Sequence, residues 1–161
     1  MNFLVVQETD WIQRGPHQQH HLFERLSKIG HKVVVLDFEI NYTPWPYAPL
    51  VAPRLICEQT TRTDTEANIC VIRPATIRLP GLARIISMVT FFIELMRITK
   101  TMRPDVIVNY AISTGLCALT IAKLKNIPFV LHVIDALHTL VPYRWLRPLA
   151  YWMETILLRN S

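Results

Sequence analysis

Residues 10 to 21 read DWIQRGPHQQHH. They set an aspartate, an arginine, a glycine and proline pair and three histidines between an apolar run, NFLVV, and a segment of helical spacing, LFERLSKIGH. Four kinds of chemistry use such a group: a metal site, a catalytic loop, a phosphate cradle, or the solvated start of a helix. His17, His20 and His21 have i, i+3 and i+4 spacing, which can bring two imidazoles to one helical face, yet His20 and His21 stand about 100° apart. No HExxH or CxxC companion and no third ligand type accompanies them, so the reading is no metal and no cofactor. The fingerprints GxGxxG, GxxxxGKS/T and GxSxG are all absent, which sets aside a dinucleotide site, a P-loop and a hydrolase elbow. A second group is His132 and Asp135, a histidine and a carboxylate three residues apart where the run IPFVL ends. Such a pair at a strand end can bind a polar substrate or move a proton. A satisfied core histidine and a turn-capping aspartate account for the same two residues.

The elements around these groups alternate. Asn2 to Val6 reads as a strand buried on both faces. A helix follows with Leu22, Phe23, Leu26 and Ile29 on one side, Pro16 near its start and Gly30 at its stop, and Lys32 to Leu36 forms the next strand. Four prolines between Asn41 and Pro53 predict a surface loop without regular structure, and RLICE and NICVIRP predict a pair of short strands. A helix over Leu82 to Thr101, a strand over Val106 to Tyr110, a helix from a Ser113 cap to about Lys125, a strand in IPFVLHVID and a final helical segment complete the series. The fold class is therefore α/β, a Rossmann-like, doubly wound, mostly parallel sheet.

In open sheets of this kind ligands bind at the carboxyl ends of the strands, near the point where strand order reverses. That rule selects Gln7 to Pro16, Asp37 to Tyr42, Asn109 to Gly115 and His132 to His138. Within them Arg14, Gly15, Pro16, Asn109 and Ser113, and His17 next to the first, are the substrate-binding candidates. His132 and Asp135 are candidates first for binding and second for catalysis.

At 161 residues the chain is about one domain. Cys57, Cys70 and Cys117 are too few for a secreted disulfide framework, and the amino terminus has no basic region or cleavage site, which together imply a reducing, cytoplasmic compartment. A surplus of five positive charges suits anionic partners, but the cations are scattered and form no nucleic-acid-binding run. The longest apolar run, Ile85 to Ile93, is far short of a membrane span.

The opening NFLVV, the Gly15 and Pro16 loop, LFERLSKIGHKVVVL and RPDVIVNYAISTGLCALTIAKLKNIPFVLHVIDALHTLVP, taken in this order, resemble the N-terminal domain of GT-B glycosyltransferases of the retaining family 4 type. The likeness covers nearly the whole chain. It is strongest to a subgroup whose fifth strand runs IPFVLEVRDLWP. The resemblance implies one half of a GT-B architecture: residues 1–161 as the acceptor-side domain, with the nucleotide-sugar donor held through an E(x7)E motif by a C-terminal domain that is expected to be absent from this chain. The ending ILLRNS, where such a sheet should run on to another strand, agrees with that expectation. The implied partners are a nucleotide-sugar donor and a glycan or lipid-linked acceptor. The loop after the first strand is implied to approach them, through Gly15 and Pro16 here in place of the family's double glycine. His132 and Asp135 are implied to hydrogen-bond sugar in the cleft, and no protein nucleophile is required.

Two helical segments add a further expectation. Met88, Phe91, Phe92, Leu95 and Met96 with Arg84 and Arg97, and Tyr143, Trp145, Tyr151 and Trp152 with Arg144, Arg147 and Arg159, suit an anionic membrane surface at the inner face of the plasma membrane. Core packing or contact with a second domain explains the same residues. A non-catalytic surface subunit that recruits a separate donor-binding chain, and an unrelated Rossmann-like binding module, are the alternatives to a transferase domain.

Overall fold

The structure, a computed structural model, describes residues 1–39, 43–44 and 46–161. Its centre is a six-stranded sheet. Asn2–Val6 (β1) pairs in parallel with Lys32–Leu36 (β2) on one side and Val106–Asn109 (β7) on the other. Beyond β2 lies Ile69–Arg73 (β5), parallel, and then Leu55–Thr60 (β4), antiparallel at the edge; beyond β7 lies Phe129–Leu131 (β8), parallel. The order is β4-β5-β2-β1-β7-β8. The chain grows away from β1 through β2 and β5, then crosses back to β7, so strand order reverses between β1 and β7.

The strands form where the sequence is apolar and β-branched without interruption. Val5, Val33, Val35, Ile69, Val71 and Val108 point to one face, and Leu4, Val6, Val34, Leu36, Ile72 and Ile107 to the other. Gln18–Lys28 (α1) covers the first face with Phe23, while Leu82–Met102 (α2) and Ser113–Lys125 (α3) cover the second with Phe91, Leu95, Ile98, Ala118 and Ile121. Arg147–Arg159 (α4) packs beside α3, burying Ala150 and Leu157. Helices on both faces make this the expected doubly wound, Rossmann-like sheet.

Three local expectations change. The run between Asn41 and Pro53 does hold a regular element among its described residues: Val51–Ala52 (β3) pairs antiparallel with Thr76–Ile77 (β6), between Pro49 and Pro53, whose rings only have to flank so short a ladder. Residues 40–42, within the strand-end stretch Asp37 to Tyr42, and residue 45 lie outside the described residues. Helix α1 is rotated from its apolar wheel: Phe23 is inside and Leu26 half-buried, but Leu22 and Ile29 are exposed, and Gln19, His20 and Glu24 are buried instead. Those polar groups meet fixed partners, which a wheel of hydropathies does not register. Ser113 is the first residue of α3 and not its cap; the cap is Ile112, without a capping side chain. Cys57, Cys70 and Cys117 are free thiols, and burial pushes the thiols of Cys70 and Cys117 up, away from the reactive thiolate.

Candidate functional site

The carboxyl edge of the sheet is built by the backbone ladders running on past the strands. Gln7 N–H donates to Leu36 O at 3.0 Å, Tyr110 N–H to Val6 O at 2.8 Å and His132 N–H to Asn109 O at 2.9 Å. These bonds hold Gln7, Tyr110 and His132 on one rim. The opening stretch is pinned to that rim from below. Asp10, at the loop start, accepts from the backbone N–H groups of Ile12 (2.9 Å) and Gln13 (2.8 Å) and from Arg73 at 2.8 Å. Arg73, at the end of β5, also meets Asp37 at the end of β2, at 2.7 and 3.0 Å, and Asp37 takes the backbone N–H of Trp11 at 3.0 Å. Both carboxylates are enclosed. Burial pushes Asp37 above the usual aspartate range, although Arg73 and the Trp11 N–H pull it down.

The three histidines divide. His17 and His21 are exposed, while His20 is enclosed against Trp11, ring centroids 4.1 Å apart. The backbone N–H of His17 donates to Nδ1 of His20 at 3.0 Å, which requires that nitrogen to be unprotonated, and Nε2 donates to Trp11 O at 3.0 Å. Both ring nitrogens are therefore engaged within the chain, and His20 serves as the cap partner of α1. Burial leads in holding its pKa below the ordinary 6.5. The unfolded chain takes up a proton there that the folded chain resists, so this contribution to stability is complete above pH 6.5 and is lost as the pH falls below it. Thermal melts between pH 7.5 and 5 should show a falling Tm, with a shallower fall in His20→Gln. Identical slopes would show that the imidazole is not held neutral.

Arg14, Gly15, Pro16 and His17 all stand exposed on the rim above this support. Gly15 has φ +91°, and a Cβ there would lie 2.8 Å from His17 N, so the loop conformation itself requires glycine. Asn109 is fully buried; its amide donates to Ala111 O at 2.7 Å and accepts from Ala111 N–H at 3.3 Å. From this buried position the side chain shapes the turn into α3, with one amide hydrogen and one oxygen lone pair engaged there. Asn109 also fills the space where a Cβ of Gly115 would otherwise sit.

At the reversal point the structure joins two elements in a way the sequence does not announce. Glu8, just past β1, accepts from the Ser113 hydroxyl, from Thr114 N–H at 2.7 Å and from the Thr114 hydroxyl at 3.1 Å. Its other oxygen lies 3.2 Å from Arg84 near the start of α2. A carboxylate thus sits over the positive end of α3, doing the work expected of a serine cap. Ser113 keeps its oxygen lone pairs.

His132 and Asp135 follow β8. The His132 ring is half-buried and stacked on Tyr110 at 4.7 Å, and Asp135 is exposed, with no hydrogen bond to its carboxylate among the described residues. Burial pushes the Tyr110 phenol up to about 12. The next turn is held by Glu154 of α4, which accepts from Leu137 N–H at 3.1 Å and from the His138 imidazole. Asp135 does not cap that turn; Glu154 does. Two cavities of about 400 and 390 Å³ lie elsewhere. One is formed before β7 and β8 around Pro104 and Pro128, and the other lies between α2 and the sheet around Cys70 and Met102. The rim itself is open and polar.

A family model described as Glycosyltransferase Family 4 matches residues 18–161. No curated protein matches the chain.

Proposed function

The chain belongs to glycosyltransferase family 4, and from that premise we propose that it is the acceptor-side domain of a retaining transferase, one half of a GT-B architecture. It would take part in moving a sugar from a nucleotide-sugar to a lipid-linked or polysaccharide precursor. One observation carries this reading: the carboxyl edge of the sheet, which includes the point where strand order reverses, is an open rim that bears Arg14, His17, Ser113, His132 and Asp135, and the Asp135 carboxylate has no partner of its own among the described residues. An open rim of this kind suits a site completed by a facing surface, where sugar hydroxyls meet a few polar groups.

In the proposed transfer the bond from the sugar's anomeric carbon to the diphosphate oxygen breaks and a bond to an acceptor hydroxyl oxygen forms. The hydroxyl proton leaves with the diphosphate. This domain then has to position the acceptor, with Asp135 and His132 accepting from or donating to its hydroxyls, and Gly15 and Pro16 letting backbone approach the donor phosphates. Positioning of this sort contributes through orientation.

The test is a division of ligands. Isothermal titration of the 161-residue chain should give no low-micromolar Kd for UDP- or GDP-sugars. A short-chain lipid-linked saccharide should bind, and Asp135→Asn should weaken it roughly tenfold, the loss of about one charge-assisted hydrogen bond. Tight nucleotide-sugar binding by this chain would reverse the assignment of halves.

A further inference from the structure

Helix α2 is apolar on two sides. Phe91, Leu95, Ile98 and Met102 enter the core, as a helix covering a sheet requires. Of the residues whose pattern suits an interface, Phe91 and Leu95 are therefore core, and a different set faces outward. Leu82, Ile85, Val89, Phe92, Ile93 and Met96 are all exposed, and at 100° per residue they fall within a wedge of about 100°. The stripe runs roughly 20 Å along the helix. A surface helix ordinarily turns polar side chains outward, and a contiguous apolar stripe on a folded domain marks a contact surface.

The charges say what the contact is. The three neighbouring helices α2, α3 and α4 carry only two acidic residues, and both are enclosed. Glu94 is clamped by Arg54 at 2.9 Å, and Glu154 holds the turn at Leu137. Arg97, Lys100, Lys123, Lys125 and Arg159 of the same helices are exposed, and so are Trp152 and Tyr151 of α4. An outward surface that joins an apolar stripe to exposed cations, with Arg97 only partly offset by the enclosed Glu94 at 3.4 Å, has its complement in a sheet of apolar chains under negative headgroups. A second copy of this surface would bring like charges together, which is unfavourable. A domain facing the carboxyl rim would cover only the start of α2, where Arg84 meets Glu8, because the helix ends at the opposite edge, where the Asn2 amide donates to Met102 O.

We propose that the α2 stripe, with the exposed cations of α2 to α4, docks the chain on an anionic lipid surface. This stands apart from the sugar-transfer reading and survives its failure. It also sets the carboxyl rim, where α2 begins, beside the headgroups.

Co-sedimentation of the 161-residue chain with vesicles of phosphatidylcholine alone, or with increasing phosphatidylglycerol, tests it. Bound protein should rise with phosphatidylglycerol and fall with salt. Arg97→Gln with Lys100→Gln should lower the partition coefficient about 30-fold, on the order of fivefold per cation near the surface. Val89→Gln with Phe92→Gln should abolish most binding, and because both side chains are exposed the Tm should hold. Equal binding to neutral and anionic vesicles, or no binding to either, overturns the proposal. So does a dimer in sedimentation equilibrium that Val89→Gln and Phe92→Gln dissociate while vesicle binding is nil.

Discussion

Arg73→Met should lower stability by about 3–5 kcal/mol, the usual cost of removing one partner from a buried ion pair. For a chain of this size that is a fall in Tm of roughly 6–20 °C. Among the described residues the guanidinium is the only cation paired with two enclosed carboxylates, Asp10 and Asp37, and it ties the ends of β2 and β5 to the loop after β1. Without it the two like charges face each other in a space from which water is excluded. The variant carries its own diagnostic. Burial already pushes Asp37 up, and the loss of Arg73 removes an opposing influence. The folded variant then binds a proton that the unfolded chain does not, so its deficit against the native protein should shrink as the pH is lowered from 7 toward 5. A deficit constant with pH would mean that lost packing, and not the buried pair of like charges, is responsible. Asp37→Asn in the Arg73→Met background should restore part of the loss.

The same cluster shows what a sequence does and does not announce. Strands β1, β2 and β7 are legible because burial on both faces demands unbroken apolar runs, and NFLVV, KVVVL and VIVN are such runs. Helix α2 is legible in extent for the same reason, but its outward stripe is not distinguishable from its core face by periodicity, since both are apolar. The rim's address follows from topology, so Arg14, Ser113, His132 and Asp135 are selected as candidates by rule, with His17 next to the first stretch. The partners that support it are not. Glu8 reaches Ser113 and Thr114 across 105 and 106 positions, and Arg73 reaches Asp10 across 63. Nothing local in those residues distinguishes a charge that will be enclosed from one that will be solvated. The available signal is weak: Glu8, Asp37 and Arg73 each stand within two residues of a strand's carboxyl end, and Asp10 four residues past one, where a charge must find either water or a partner.

Glu24 is the extreme of that class, and Glu24→Ala should cost about 2–3 kcal/mol by stranding several backbone donors at once. Helical spacing places it on α1 as an ordinary surface glutamate, yet it is fully buried. Its carboxylate accepts from the backbone N–H groups of Arg62, Thr63 and Asp64 and from the Thr63 hydroxyl, each at 2.7 Å. Burial opposes ionisation, and these four bonds outweigh it, so the carboxyl is held below its ordinary 4.5. The sign follows. The unfolded chain takes up a proton near pH 4.5 before the folded chain does, so Glu24 stabilises fully above that pH and progressively less below it. His20 on the same helix loses its contribution from pH 6.5 downward. Acid should therefore loosen α1 in two steps, first at the cap against Trp11 and then at the loop of residues 62–64. Hydrogen exchange at the Arg62, Thr63 and Asp64 amides separates them. Glu24→Gln should accelerate exchange at these amides at pH 7 and erase the lower step while leaving the upper one, and His20→Gln should do the reverse. A single step removed by either substitution would mean that α1 detaches as one unit, with neither group acting as an independent anchor.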